Sequence, residues 1–349
     1  MLIYIILPFT PLLVQYIYRN SGYRDSQYRT YLFFAMLPLF LMIGFRADYI
    51  GADTWVYLRN FENTRVLDLT SAIANSRMEE GYIRFVKYVG YVTKSPQLFQ
   101  LIYTSIYFIG YYSFAKLLDK KNGFFFIYLL ITLGLFYFML TGVRQNIAIS
   151  ICLFSVQFLI KRKYIIVALL IAVAFTFHKS SLLFVFAILL YDRKFTKLNI
   201  CLYIAGLAIV STYLVVLQEW ANENFEYDYG IEETGNGGIS LSIIALLTLL
   251  SLAYYNHKGK TISFIRFLFN VNILTLFLWI LRLQTRVAER PSYYFLGISC
   301  ALYAYMYDYW KFDGQTGQII RWGIVTVSYV LFVYRLFTNF RSIIPYNIF

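Results

Sequence analysis

Charge is what this sequence has least of. Lys, Arg, Asp and Glu make up 14% of its 349 residues, against about 25% in a soluble domain. Hydrophobic residues make up 60%, so the chain reads as a multi-span membrane protein with one transmembrane domain over 1–349. The apolar runs hold no Asp, Glu or His near their centres. That excludes the relay of buried titratable groups on which proton-coupled transporters depend. The three cysteines, Cys152, Cys201 and Cys300, lie inside apolar runs with no CxxC spacing and no neighbouring histidine. They read as small buried hydrophobes rather than metal or redox ligands. No basic residue precedes the first apolar run, Leu2 to Ile17, and basic residues follow it. An uncleaved span fits that pattern better than a signal peptide. Low-complexity tracts and internal repeats are also missing.

What is there is a series of apolar runs. About twelve are candidate spans: 2–18, 30–45, 97–115, 123–140, 143–160, 164–177, 181–191, 198–217, 239–255, 261–281, 291–307 and 319–337. Most come near the ~20 residues a helix needs to cross a bilayer, and the sixth and seventh are short. The formal charge of +13 sits mostly in short loops between the runs. It therefore reports membrane orientation, not nucleic-acid binding. Alternate loops carry Arg19, Arg24 and Arg29; Lys116, Lys120 and Lys121; Lys161, Arg162 and Lys163; Arg193, Lys194 and Lys197; and Lys258 and Lys260. These belong in the cytoplasm, which puts both termini outside. The 219–238 loop agrees, with Glu219, Glu223, Glu226, Asp228, Glu232 and Glu233 and no basic residue. Arg266, Arg321 and Arg335 lie near span ends and can snorkel. The expected fold is all-α and polytopic, with one large external loop, 46–96. Apolar residues Tyr82, Ile83, Phe85, Val86 and Val89 recur there at helical spacing, as in an interfacial helix.

Several basic residues fall on the external side against the orientation rule. They are Arg46, Arg144, Lys179, Arg282, Arg286 and Arg290, and they coincide with polar motifs. Arg46 precedes Gly51-Ala52-Asp53-Thr54 and Tyr57, where a turn delivers an acid and a hydroxyl. Asp53 reads as a helix cap, a base or a sugar-hydroxyl ligand. Glu79-Glu80-Gly81-Tyr82 follows. Thr141-Gly142-Val143-Arg144-Gln145-Asn146 opens the fifth span. With Thr141 as cap, Arg144 and Gln145 fall in a first turn suited to an anion. In His178-Lys179-Ser180-Ser181, either serine can cap the seventh span, and His178 can bond a hydroxyl or shuttle a proton. Arg286 and Arg290 share a face if helical, and Glu289 orients one of them.

Taken in order, Arg46 with GADT and Tyr57, then EEGY, TGVRQNIA, FHKSS and RPSYYF resemble the signatures of the EpsG family. These are Wzy-type polymerases of bacterial surface polysaccharides such as O-antigen, capsule or exopolysaccharide. The resemblance runs from about Arg46 to Phe295, and TGVRQNIA followed by FHKSS is its most specific part. Two positions depart from it. Glu80 stands where many relatives carry proline, which makes Glu79 the equivalent acid. Of the late arginines, the spacing to Tyr294 and Phe295 favours Arg290. The resemblance implies an inverting glycosyltransferase on the outer face of the bacterial cytoplasmic membrane, with a fold related to other lipid-dependent (GT-C-like) glycosyltransferases. Its substrates are undecaprenyl-diphosphate-linked donor and acceptor glycans, and a chain-length regulator is an implied partner. Neither cofactor nor metal is expected. Asp53 is the first choice of base, followed by Glu79 and His178. Arg144, Arg290, Arg286, Arg46 and Lys179 would hold the diphosphate. Thr54, Tyr57, Gln145 and Tyr294 would contact substrate. A flippase of lipid-linked sugars suits about twelve spans equally well, and a membrane O-acyltransferase built on His178 is a further alternative.

Overall fold

In lipid every backbone polar group must find its partner within the protein, so apolar runs of this length fold as helices. The computed structural model describes all residues except 23–26, 226–236, 340 and 349. Arg24, Glu226, Asp228, Glu232 and Glu233 therefore lie outside the described residues. Within those described the chain is an all-α polytopic membrane protein, and the one β feature there is an isolated bridge between Arg46 and Ile348.

The helices run in chain order as follows. First come α1 (Leu2–Ile6), α2 (Thr10–Asn20), α3 (Tyr28–Gly44), α4 (Thr54–Val66), α5 (Leu69–Ala74) and α6 (Glu80–Val92). Next are α7 (Pro96–Ala115), α8 (Asn122–Thr132), α9 (Leu135–Met139), α10 (Val143–Ile160), α11 (Tyr164–Phe177) and α12 (Val185–Leu190). Last are α13 (Lys197–Thr212), α14 (Leu214–Phe225), α15 (Gly238–His257), α16 (Ser263–Leu281), α17 (Glu289–Tyr309) and α18 (Gly314–Phe337). The runs expected to span are helical over most of their length, with these differences. The run 2–18 carries a 3-10 turn, Leu7–Phe9, between α1 and α2, and the run 198–217 breaks at Tyr213 between α13 and α14. The run 123–140 breaks between α8 and α9 at Gly134. Its φ of +107° is open to glycine, and a Cβ there would stand 2.0 Å from Arg335 Nη1. The run 181–191 starts as a 3-10 turn, Lys179–Phe184, before the short α12. The start of the 219–238 stretch is helical: Glu219 and Glu223 belong to α14, not to a loop.

The chain forms two compact units. One comprises Met1–Leu182 with Trp310–Phe349, and the other Leu183–Tyr309. In the first, α7 packs along α10, and α10 along α11. Gly110 permits the first contact, since a Cβ there would lie 2.4 Å from the Ser150 carbonyl oxygen. Two basic stretches of this unit, at Arg29 and at Lys121, are tied to neighbouring helices: Gln15 Nε2 donates to Lys121 O (2.9 Å) and Tyr112 OH to Arg29 O (3.0 Å). The start of α1 lies with the C-terminal segment, where Tyr4 OH donates to Ile343 O (2.6 Å). The 46–96 loop is mostly helix. Its expected helix runs over Glu80–Val92 and buries Tyr82, Ile83, Val86, Lys87 and Val89 on one face.

In the second unit α16 packs on α17 and α15. A polar thread joins them: Tyr303 OH donates to Asn272 Oδ1 (2.6 Å) and Asn272 Nδ2 to Thr248 Oγ1 (3.0 Å). Such bonds hold helices together where lipid gives no hydrophobic drive. Cys152 and Cys300 are buried, whereas Cys201 is exposed on α13. An apolar helix of a membrane protein need not be buried in protein to be stable, so hydropathy alone did not decide that position.

Candidate active site

Two turns build the site from below. The first is Arg46 to Thr54. Gly51 takes φ +91°, and a Cβ there would stand 2.0 Å from the Leu140 carbonyl oxygen, so this turn and the end of α9 meet backbone to backbone. Arg46 is wholly buried. Its guanidinium donates to Ile50 O (3.2 Å), Tyr103 OH (3.1 Å), Leu140 O (3.3 Å) and Ile43 O. The Thr54 hydroxyl accepts from Arg46 Nη2 (3.2 Å) and lies within reach of the carbonyls of Ile50 (2.6 Å) and Leu140 (3.0 Å). Gln100 Nε2 donates to the Arg46 carbonyl (2.8 Å). A buried arginine needs this much hydrogen bonding to be tolerated. Arg46 and Thr54 thus weld α3, α4, α7 and α9 together. Asp53 stands half-buried at the head of α4, as a capping residue would, yet its carboxylate makes no cap bond.

The second turn is Thr141 to Asn146. Thr141 does not cap α10. The capping position is Gly142, without a side-chain bond, and Thr141 Oγ1 lies 3.3 Å from Phe138 O while accepting from Arg341 Nη1 (3.1 Å). Asn146 does the tying instead, donating to Phe138 O (2.8 Å) and Gly142 O (2.9 Å). Tyr107 OH adds a bond to Val143 O (3.1 Å). These bonds place Arg144 in the first turn of α10, with Gln145 buried beside it.

Onto this frame α6 and α11 bring an acid and an imidazole. Gly81 makes their approach possible, because a Cβ there would stand 2.3 Å from Thr176 Oγ1. Phe85 packs on Phe177 with centroids 5.8 Å apart. Glu79, just ahead of α6, then forms an ion pair with Arg144 and lies 2.9 Å from His178 Nδ1. It also accepts from Lys179 N (3.4 Å). Glu80 instead points to solvent and pairs with Arg84. His178 ends α11 with extended backbone and is buried. No serine caps the next helix, because Lys179–Phe184 is a 3-10 turn.

Electrostatics follow from the geometry. Burial opposes charge on Glu79, but the His178 hydrogen bond and the charges of His178 and Arg144 outweigh it and hold its pKa at about 2. The carboxylate is therefore ionised and can only accept, so His178 Nδ1 must donate to it. Arg144 also meets the phenol of Tyr57. Its Nε–H is buried and makes no hydrogen bond within the protein among the described residues, and the same holds for the hydroxyl of Tyr82. Tyr82 and Tyr57 pack edge to face, with centroids 5.8 Å apart. Buried donors and hydroxyls left over in this way mark a place where another polar atom is received.

Of the residues expected from the sequence, Glu79, Arg144, His178, Lys179 and Tyr57 come together here. Arg286, Arg290 and Tyr294 belong to the second unit, where Arg286 and Arg290 are exposed and Tyr294 is buried. They do not share one α-helix, because Arg286–Ala288 is a 3-10 turn and α17 begins at Glu289. Glu289 pairs with Arg282 (3.0 Å to Nε) and accepts from Tyr293 OH (2.5 Å). Sequence reading overlooked Arg341, and the available signal was one more basic residue on the side that carries the motifs. Among the described residues no three His, Cys, Asp or Glu side chains are grouped to hold a metal ion.

The class these features define is a polytopic helical membrane protein whose first unit holds a Glu–His–Arg cluster, its acid and imidazole buried. The EpsG family model matches residues 29–348, and the chain belongs to that family. Membership places it among polysaccharide polymerases. Comparison with curated proteins and with solved structures gives no match.

Proposed function

We propose that the chain is an inverting glycosyltransferase that joins undecaprenyl-diphosphate-linked oligosaccharide repeat units on the outer face of the bacterial cytoplasmic membrane. The observation that carries this reading is Glu79 held between Arg144 and His178, in a chain of a polysaccharide polymerase family. His178 Nε2 takes the proton of the acceptor sugar hydroxyl, whose oxygen attacks the anomeric carbon of the donor. The bond from that carbon to the diphosphate oxygen breaks, and undecaprenyl diphosphate leaves with the electron pair. Glu79 keeps the imidazole in the tautomer that makes Nε2 basic and stabilises the imidazolium once the proton arrives. Arg144 offers its unused Nε–H and its charge to the departing diphosphate. Lys179 adds positive charge next to the base.

This reading moves the base from Asp53 to His178 and turns Glu79 into the group that orients it. Asp53 serves as a ligand for sugar hydroxyls. Arg46, with its donors spent on carbonyls and hydroxyls, serves as scaffold rather than as a diphosphate ligand.

The test uses purified protein in nanodiscs, lipid-linked repeat units as the sole substrate, and a chelator. A ladder of longer lipid-linked glycans is expected, and Arg144→Ala is expected to remove it while the protein remains inserted. Repeat units that cross a proteoliposome bilayer unlengthened would replace this reading with a transporter.

A further inference from the structure

The chain does not end where α18 ends. Asn339, Arg341 and Ser342 take φ of +47°, +66° and +54°, a region that costs residues with a Cβ about 1 kcal/mol or more each. Bonds from Ile343 N and Ile344 N to Asn339 Oδ1 (both 3.0 Å) hold this turn. Strain of this kind persists only where the surroundings require it. Here it turns the chain back over the two turns of the site.

The returning segment, 341–348, satisfies the backbone of the first turn. Gly51 N donates to Ser342 O, Ala52 N to Arg341 O and Ala47 N to Asn347 O, each at 2.9 Å. Ile343 is buried, and Tyr346 OH donates to Met42 O (3.2 Å). The Arg341 side chain reaches the second turn. Nη1 donates to Thr141 Oγ1 (3.1 Å), and the guanidinium lies over the Phe138 ring, 5.1 Å from its centroid. That ring in turn covers Gly142, where a Cβ would stand 2.6 Å from it. One residue therefore grips both turns: its carbonyl holds Ala52, and its side chain holds the residues from which α10 starts.

We infer that the 341–348 segment is a working strap of the site, and that Arg341 is a positioning residue that sets where α10 begins and so where Arg144 is presented. The inference rests on the reading of Glu79, Arg144 and His178 as the reaction site. A small displacement of a positioned group costs rate rather than ground-state affinity when the group acts on the transition state.

The experiment measures polymerisation by full-length protein in nanodiscs, per folded molecule, with thermal midpoints recorded alongside. Arg341→Ala is expected to lower kcat about ten-fold, with KM for repeat units within about two-fold and the midpoint within a few degrees. Thr141→Val, which removes the same bond from the other side, is expected to do likewise. The double variant should be no slower than the slower single, because each substitution already removes the Arg341–Thr141 bond. Arg341→Lys should recover part of the rate. If Arg341→Ala does not fold, Thr141→Val with unchanged kcat overturns the inference by itself. Unchanged kcat in folded Arg341→Ala, a loss that tracks the folded fraction, or effects that multiply in the double variant also overturn it. Arg144→Ala separates the two claims. If that variant polymerises normally, the site reading fails. If it is inactive while Arg341→Ala is not slowed, only the strap fails.

Discussion

A carboxylate between an imidazole and a guanidinium has two consequences that can be measured. The first concerns stability. Glu79 is held at about 2, below its ordinary 4.5, so its interactions stabilise the fold fully above about 4.5 and are lost as pH falls towards 2. Thermal midpoints of wild type and Glu79→Gln should differ at neutral pH and converge in acid. The second concerns rate. Removing a general base costs about 10²–10⁴-fold, so His178→Ala should lose that much turnover with the fold retained. Near-normal turnover in folded His178→Ala would remove His178 as base. Tyr82→Phe addresses the leftover hydroxyl. No bond within the protein among the described residues is lost, so stability should hold, while turnover falls about ten-fold if the hydroxyl meets substrate.

At the scale of elements, the cluster depends on how closely α6 approaches α11. Gly81 is the point of contact, and Thr176 leaves no room for a methyl group. Gly81→Ala should cost about 1–3 kcal/mol through overpacking. It should also separate Glu79 from His178, so polymerisation falls further than the folded fraction does. Gly51→Ala meets a harder obstacle, a carbonyl oxygen at 2.0 Å and a positive φ. It should unseat the 46–54 turn, which loss of insertion or a lowered midpoint would reveal. α10 itself is poorly amphipathic, and its placement comes from the bonds of Asn146, Tyr107 and Arg341 around its first turn.

For the whole molecule, the alternation of basic loops makes an accessibility prediction. With Cys201, the exposed native cysteine, replaced, a cysteine introduced at Glu80 should react with an impermeant maleimide in intact cells. One at Arg162 should react only after permeabilisation. The reverse pattern would put the site in the cytoplasm and with it exclude substrates displayed outside. In the first unit the strap meets both α1 and the 46–54 turn.

The membrane class, the helical runs and the motif positions were all determined by the sequence alone. Each is a property of a single segment, and lipid as a solvent reads segments one at a time. The helix over 80–92 and the head of α4 at Asp53 were legible for the same reason. What only the tertiary structure decided is which polar groups meet. Glu79 finds Arg144 and His178 across 65 and 99 residues of chain. Arg341 finds Thr141 across 200. Arg46, by sequence a candidate anion ligand, is consumed by carbonyls, and Thr141 gives up its expected cap to Gly142 and Asn146. Spacing cannot foresee such outcomes, because a buried charge takes whichever partners packing brings within 3 Å or so. Packing here is set by small contacts at Gly51, Gly81 and Gly110, whose meaning appears only when the opposing surface is in place.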